Sequence, residues 1–336
     1  MAARSAAPVI GAICHAGEQS GEVGFGTAIS ATQSAASRWQ VSFGYRWQNS
    51  NTHFRGDHEE KNRVSEDTQM ENKLHLFDLA LSYRVSPRWS LNVGAPFIVV
   101  DRINHRAETV THSRGMGDMS VGAKFWLFRP PTESRQNIQL GFSMKLPTGR
   151  PDVTDRPTPS ENALPGATLG ALTTVDQSIQ LGDSGTGISF DYMAFKSIQR
   201  FTIFSAGIWL MNPTNTYTAK TPNSRALSVP DQYLWQAGVG YAVPKLAGLA
   251  FTGTARMEGV PARDIIGRED GFRRPGYAVS VGPGVMFSRG QNTWSVSAPI
   301  AVKRDRTRSV PDYRSGGHGD AAFADWLILV GYSRAF

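Results

Sequence analysis

The chain has a single cysteine, Cys14, in 336 residues. One thiol excludes an intramolecular disulfide and a cysteine-built zinc site, so neither staple can hold this fold together. Long hydrophobic runs are missing as well. The longest nearly apolar stretch, Phe201 to Met211, falls well short of the roughly 18 residues that a membrane helix needs. No transmembrane helix is expected. Charge of one sign is gathered nowhere: the formal net charge is +7, yet basic and acidic residues are mixed along the chain, without a polybasic block interleaved with aromatics. The electrostatic footprint of a nucleic-acid groove is therefore absent, and no nucleic-acid partner is expected. A mildly basic surface is better matched to the anionic head groups of outer-membrane lipid and lipopolysaccharide.

What is present is glycine, 34 residues of it, and frequent aromatics, which suits many strands and turns. The first clear strand sets Trp39, Val41, Phe43, Tyr45 and Trp47 against Gln40, Ser42, Gly44 and Arg46, a period of two without an error. The same alternation recurs through Phe77–Val85, Trp89–Val99, Met119–Leu127, Ile138–Leu146, Ile188–Ala194, Phe201–Trp209, Tyr233–Tyr241, Leu249–Met257, Tyr277–Val285 and Trp294–Val302. Counting back in twos from Phe336 gives Tyr332, Val330, Ile328 and Trp326, with Arg334 as the one polar interruption. That makes twelve strands.

The connections alternate between short and long. Short ones fall near Pro87, Pro131, Ser197, Lys245 and Gly290; the longest, from Pro147 to Gly185, is rich in Pro and Thr. A loop of that length is usually functional or mobile. After Val99 a further long loop is expected to run to Gly117. Segregated loop lengths, aromatics at strand ends and an even count predict an all-β transmembrane up-and-down antiparallel β-barrel spanning residues 39–336 in a Gram-negative-type outer membrane. Closing the sheet satisfies every backbone group in lipid, which an open sheet cannot do. A terminal aromatic on such a strand resembles the signal read by the barrel-assembly machinery, which is the expected partner in biogenesis.

If lipid lies outside, the opposite face lines a lumen. It carries Arg46, Asp78, Arg84, Asp118, Lys124, Lys145, Asp191, Arg256 and Glu258, charges that a packed core would not tolerate unpaired. These predict a charged path that selects solutes, or alternatively mutually paired ions filling a narrow barrel. Met193, Phe204, Ile208 and Leu234 fall on the same inner face of the sixth to eighth strands, where a plain porin is polar. Two expectations follow. Either the lumen is amphipathic, charged along the second to fifth strands and apolar along the sixth to eighth, or these side chains pack against an inserted segment. The candidates for insertion are Gly17–Ser37 and Pro147–Gly185.

The stretches GMGDMSVGAKFWLF and LGFSMKLPTGR resemble the outer-membrane family named for the meta-pathway of phenol degradation, whose members are described as transporters. The matching residues are Gly117, Asp118, Lys124, Phe125, Lys145, Pro147, Thr148 and Gly149, and the segment led by Gly182 and Asp183 is similar to the family's next glycine-rich element. The resemblance implies a passive channel for small solutes, aromatic or apolar compounds among them, working without a cofactor.

Other chemistry is poorly provided for. His53, Asp57, His58, Glu59 and Glu60 lie together, but without the fixed spacing that marks a metal motif. His75 and His318 are the histidines near strand ends, neither with a clear nucleophile, so an outer-membrane hydrolase is a rival reading and not the leading one. A plugged structural or adhesive barrel is the other rival. Residues 1–38 form a lead-in with one early arginine and a weak apolar stretch, open to reading as a signal remnant, a plug or a disordered segment; Ile13 before Cys14 argues against a lipoprotein site.

Overall fold

In the computed structural model, residues 37–129, 134–213, 216–218 and 226–336 are described. The lead-in through residue 36, including Cys14, lies outside them. The molecule is a closed antiparallel barrel of twelve strands. They are β1 (Trp39–Ser50), β2 (Met70–Arg84), β3 (Trp89–Asn104), β4 (Thr109–Met116 and Ser120–Trp126), β5 (Gln136–Lys145), β6 (Gly187–Ile198), β7 (Phe201–Met211), β8 (Gln232–Ala242), β9 (Leu249–Val260), β10 (Gly276–Arg289), β11 (Asn292–Ser297 and Ile300–Asp305) and β12 (Trp326–Ala335). Each pairs with its sequence neighbours, and β1 closes on β12 from Gln40↔Ala335 to Asn49↔Trp326. Among the described residues no helix is long and apolar enough to cross a membrane.

Alternation decides which way each side chain faces. Leu79, Leu81, Leu91, Phe142, Phe190, Ile203, Phe251 and Val296 are exposed on the outside, an apolar band that water would not reward. Aromatics girdle both of its edges. At the short-turn end Trp39 meets Tyr83, Trp89 meets Phe125, Phe201 meets Tyr241, and Trp294 sits between Phe287 and Tyr332. At the long-loop end Trp47 packs on Trp326 at 4.1 Å and Trp209 stacks on Tyr233. Trp39 and Trp47 on β1 are eight residues apart, which at ~3.3 Å per residue and ~40° of tilt is about 20 Å, close to the apolar height of an outer-membrane barrel.

One expected loop is strand instead. Residues after Val99 continue β3 to Asn104, turn at His105–Glu108 and return as the first half of β4, with Phe97↔Met116 through Asn104↔Thr109 in register. β-branched Val99, Val100, Ile103, Thr109, Val110 and Thr111 suit this pleated extension above the girdle. Above the barrel Thr52–Arg55 pairs with Ala321–Phe323 and His58–Glu59 in a small sheet. The helix Val310–Ser315 sits in the same connection, capped by the reciprocal Ser309 and Asp312 contacts.

Candidate functional site: the filled lumen

The segment between β5 and β6 runs inward and packs inside the upper barrel. Its Val153, Val175, Ile179 and Leu181 are buried against Leu76, Ile98 and Val100 of β2 and β3 on one side and Ile208 and Leu234 of β7 and β8 on the other. This is the inserted-segment alternative for Ile208 and Leu234. Met193 and Phe204 instead join Trp126, Phe195, Ala206, Ala250 and Met286 in a second apolar cluster nearer the short turns. The division of the lumen by strand is therefore corrected: Leu76, Ile98 and Val100 make the second and third strands apolar too. The other candidate for insertion, Gly17–Ser37, lies outside the described residues except for Ser37.

The segment is rooted by the glycine-rich motifs. Between the halves of β4, Gly117 to Met119 breaks the ladder and turns its backbone toward the segment. Thr148 Oγ1 donates to the Gly117 carbonyl at 3.1 Å and accepts from the Met119 N–H at 2.8 Å. The Gly149 N–H donates to Asp118 Oδ1 at 2.9 Å, and Lys145 Nζ lies 2.6 Å from Asp183 and 3.6 Å from Asp118. Gly182 donates to the Arg150 carbonyl, tying the segment's two ends together. Residues separated by more than sixty positions in the chain thus form one polar knot.

At its far end the segment is pinned by the turn Gln177–Ile179. Asp176 caps this turn by accepting from the Ser178 N–H at 2.8 Å. The same carboxylate faces Arg274 at 3.3 Å and Arg102 at 3.9 Å. Burial raises its pKa, but Arg102, Arg274 and the Ser178 hydrogen bonds outweigh that and hold it well below the usual carboxylate range. Arg102 also donates to Ser178 Oγ and Asn72 Oδ1, and Gln177 donates to the Ser228 carbonyl.

Beside this lies a chord of charge across the lumen. Arg46 of β1 meets Glu258 of β9 through two hydrogen bonds of 3.0 and 2.8 Å, and Arg256 donates to the same carboxylate at 2.7 Å. Gln48 accepts from Arg46 and donates to Ser50. Lys124 and Asp191 reach over β5, 3.8 Å apart. The residue beneath them is Gly141, where a Cβ would stand 2.0 Å from the Asp191 carboxylate. Asp78 is buried on the inner face, and Arg84 is half-buried at the short-turn end of β2.

Sequence reasoning missed Arg102, Arg274 and Asp176. Arg102 keeps the phase of Ile98 and Val100, so carrying the alternation past Val99 was the available signal; Arg274 and Asp176 sit in irregular connections and had none. The histidines are otherwise engaged. His53 is buried between Asp320 and the Met70 backbone, His75 bonds the Tyr45 hydroxyl at 2.8 Å and His318 bonds the Arg306 carbonyl. Among the described residues no group of three or more His, Cys, Asp or Glu is placed to hold a metal ion.

No protein-family model matches the chain, and no curated protein does. Among solved structures it is similar to an outer membrane channel from Pseudomonas putida F1, with a TM-score of 0.59 and 13% identity over 91% of this chain and 98% of that one. Two weaker likenesses lie below the level at which a shared fold carries an argument. One is to the translocator domain of autotransporter NalP from Neisseria meningitidis (TM-score 0.45, 9% identity, 96% and 97% covered), the other to a Pseudomonas aeruginosa FadL homologue (0.41, 11%, 91% and 92%). At these identities the likeness is one of fold alone, a closed antiparallel β-barrel.

Proposed function

We propose that this chain is an outer-membrane channel for small solutes, related to the family named for the meta-pathway of phenol degradation, in which the segment between β5 and β6 governs passage. The carrying observation is that the upper lumen is filled by that segment and not by large side chains of the wall alone. A wall side chain cannot leave a closed barrel, whereas a segment held by a root, one pinned turn, apolar contacts and a two-residue pairing of Thr158–Pro159 with β4 can move as a unit. The apolar seats around Ile208 and Met193 support solutes with an apolar body, and the paired inward charges keep the remaining wall wettable. That the similar barrel of Pseudomonas putida F1 is described as a channel supports the same reading.

The test is single-channel conductance of the purified protein in planar bilayers, for wild type and for Ile179→Asp. A carboxylate at this position would lie among Leu76, Ile98, Val100, Ile208 and Leu234 and disfavour the seated segment; losing even ~1.4 kcal/mol of seating shifts the open fraction about tenfold. Brief openings in wild type and long ones in the variant are expected. Folded barrels without conductance in either form would overturn the channel reading in favour of a structural barrel whose loops do the work.

A further inference from the structure

Arg102 and Arg274 reach the lumen from different walls, one from β3 and one from two residues ahead of β10. Their side chains are only 7% and 6% exposed, and both face Asp176, whose side chain is 27% exposed. Two guanidiniums thus share one carboxylate. They share it loosely, at 3.9 and 3.3 Å, while Arg273–Asp264 and Arg46–Glu258 close to 2.6 and 2.8 Å. Arginine–carboxylate bonds of full strength lie at about 2.7–2.9 Å. The neighbouring Arg273 and Arg306 end on carboxylates of their own, Asp264 and Asp312, and leave Asp176 to Arg102 and Arg274.

Val175 and Ile179 flank this carboxylate in the chain and are buried in the seat formed by Leu76, Ile98, Val100, Ile208 and Leu234. Toward the barrel the segment therefore presents a carboxylate joined to an apolar body. Its complement is a pair of guanidiniums beside an apolar seat, with the Phe272 ring 4.7 Å from the Arg274 guanidinium. We propose that this complement is a binding site for small apolar monocarboxylates, with Asp176, Val175 and Ile179 as its built-in competitor. An incoming carboxylate takes both guanidiniums, its apolar body takes the seat of Ile179, and Asp176 moves into water. A ligand can shift the segment only by its differential affinity for the state in which Asp176 has left. The proposal rests on the channel reading above and names its solute class.

The experiment is calorimetric titration of the full-length protein in detergent with benzoate, and with benzamide as the neutral isostere. Wild type, Asp176→Asn and the double variants Asp176→Asn with Arg274→Gln or Arg274→Lys are compared, each first shown to be a folded barrel by its heat-dependent gel mobility. Weakening the internal competitor by ~1.4 kcal/mol would tighten benzoate binding about tenfold in Asp176→Asn. Arg274→Gln in that background removes the gain, Arg274→Lys keeps part of it, and benzamide responds to none of the changes. Benzoate binding no tighter in Asp176→Asn than in wild type, or benzamide binding as tightly as benzoate, overturns the site. Conductance separates the two readings: channels that open yet bind no benzoate retain the channel and overturn the carboxylate site. Benzoate binding without conductance in wild type or Ile179→Asp retains the site and overturns the channel.

Discussion

Glu258 holds two arginines in place from strands that do not touch. Arg46 and Arg256 both end on its carboxylate, and all three residues are at most 2% exposed. Removing one member of such a group leaves buried charge uncompensated, which costs about 3–5 kcal/mol. Glu258→Ala is expected to lower the denaturant midpoint of the barrel refolded into vesicles accordingly, while Arg84→Ala, at the half-buried rim, changes it little. An unchanged midpoint in Glu258→Ala would mean that water reaches this layer freely. The alternation of β1 and β9 makes the inward direction of Arg46, Arg256 and Glu258 readable from the chain. That Arg46 meets Glu258 across 212 positions is not, because barrel curvature, absent from a linear pattern, decides which inward residues face each other.

At the scale of one element, the segment between β5 and β6 combines a tight root with an exposed middle that is tied to the first half of β4 through Asp155, Thr158 and Pro159. An added Cβ on Gly149 would stand 2.5 Å from the Leu181 carbonyl oxygen, and one on Gly182 would stand 2.4 Å from the Gly149 carbonyl oxygen. Both obstacles are backbone and cannot rotate away. Gly149→Ala is therefore expected to loosen the root and raise the rate of proteolytic cleavage in the exposed stretch around Leu164–Leu172 several-fold, without unfolding the barrel. Equal cleavage rates would show that the root tolerates the methyl group. The glycines and the K-x-P-T-G pattern are visible in the chain as motifs. Their joint use, with Asp118 as the shared acceptor, emerges only when β4 breaks beside the end of β5. The insertion expected for Pro147–Gly185 is met, but the chain does not show which of its residues are seated: Val153, Val175, Ile179 and Leu181 are too few and too scattered to read as a buried face, yet each finds a seat inside.

For the whole molecule, the exterior is an exposed apolar band between two aromatic girdles. Phe142 of β5 stands outward beside Phe190 of β6, midway along the wall and 47% exposed. Phe142→Arg is expected to destabilise the vesicle-inserted barrel by about 2–4 kcal/mol, the cost of a cation near the bilayer midplane, with a much smaller effect in detergent. A similar small effect in both media would argue against a lipid-facing exterior. The girdles of Trp39, Trp89 and Trp294 at one edge and Trp47, Trp209 and Trp326 at the other set the height of that exterior.

The amino-acid sequence by itself determined the all-β class, the strand count, the up-and-down order and the inward or outward direction of most wall residues. Each of these depends on a local period of two, on turn residues or on loop length, all written within a dozen positions. It did not determine what fills the lumen. Packing Ile179 on Leu76 and Leu234, or setting Asp176 between Arg102 and Arg274, joins residues whose separations carry no period. Those contacts exist because closing the sheet creates an interior that apolar side chains leave water to occupy, and the connection between β5 and β6 is long enough to reach it.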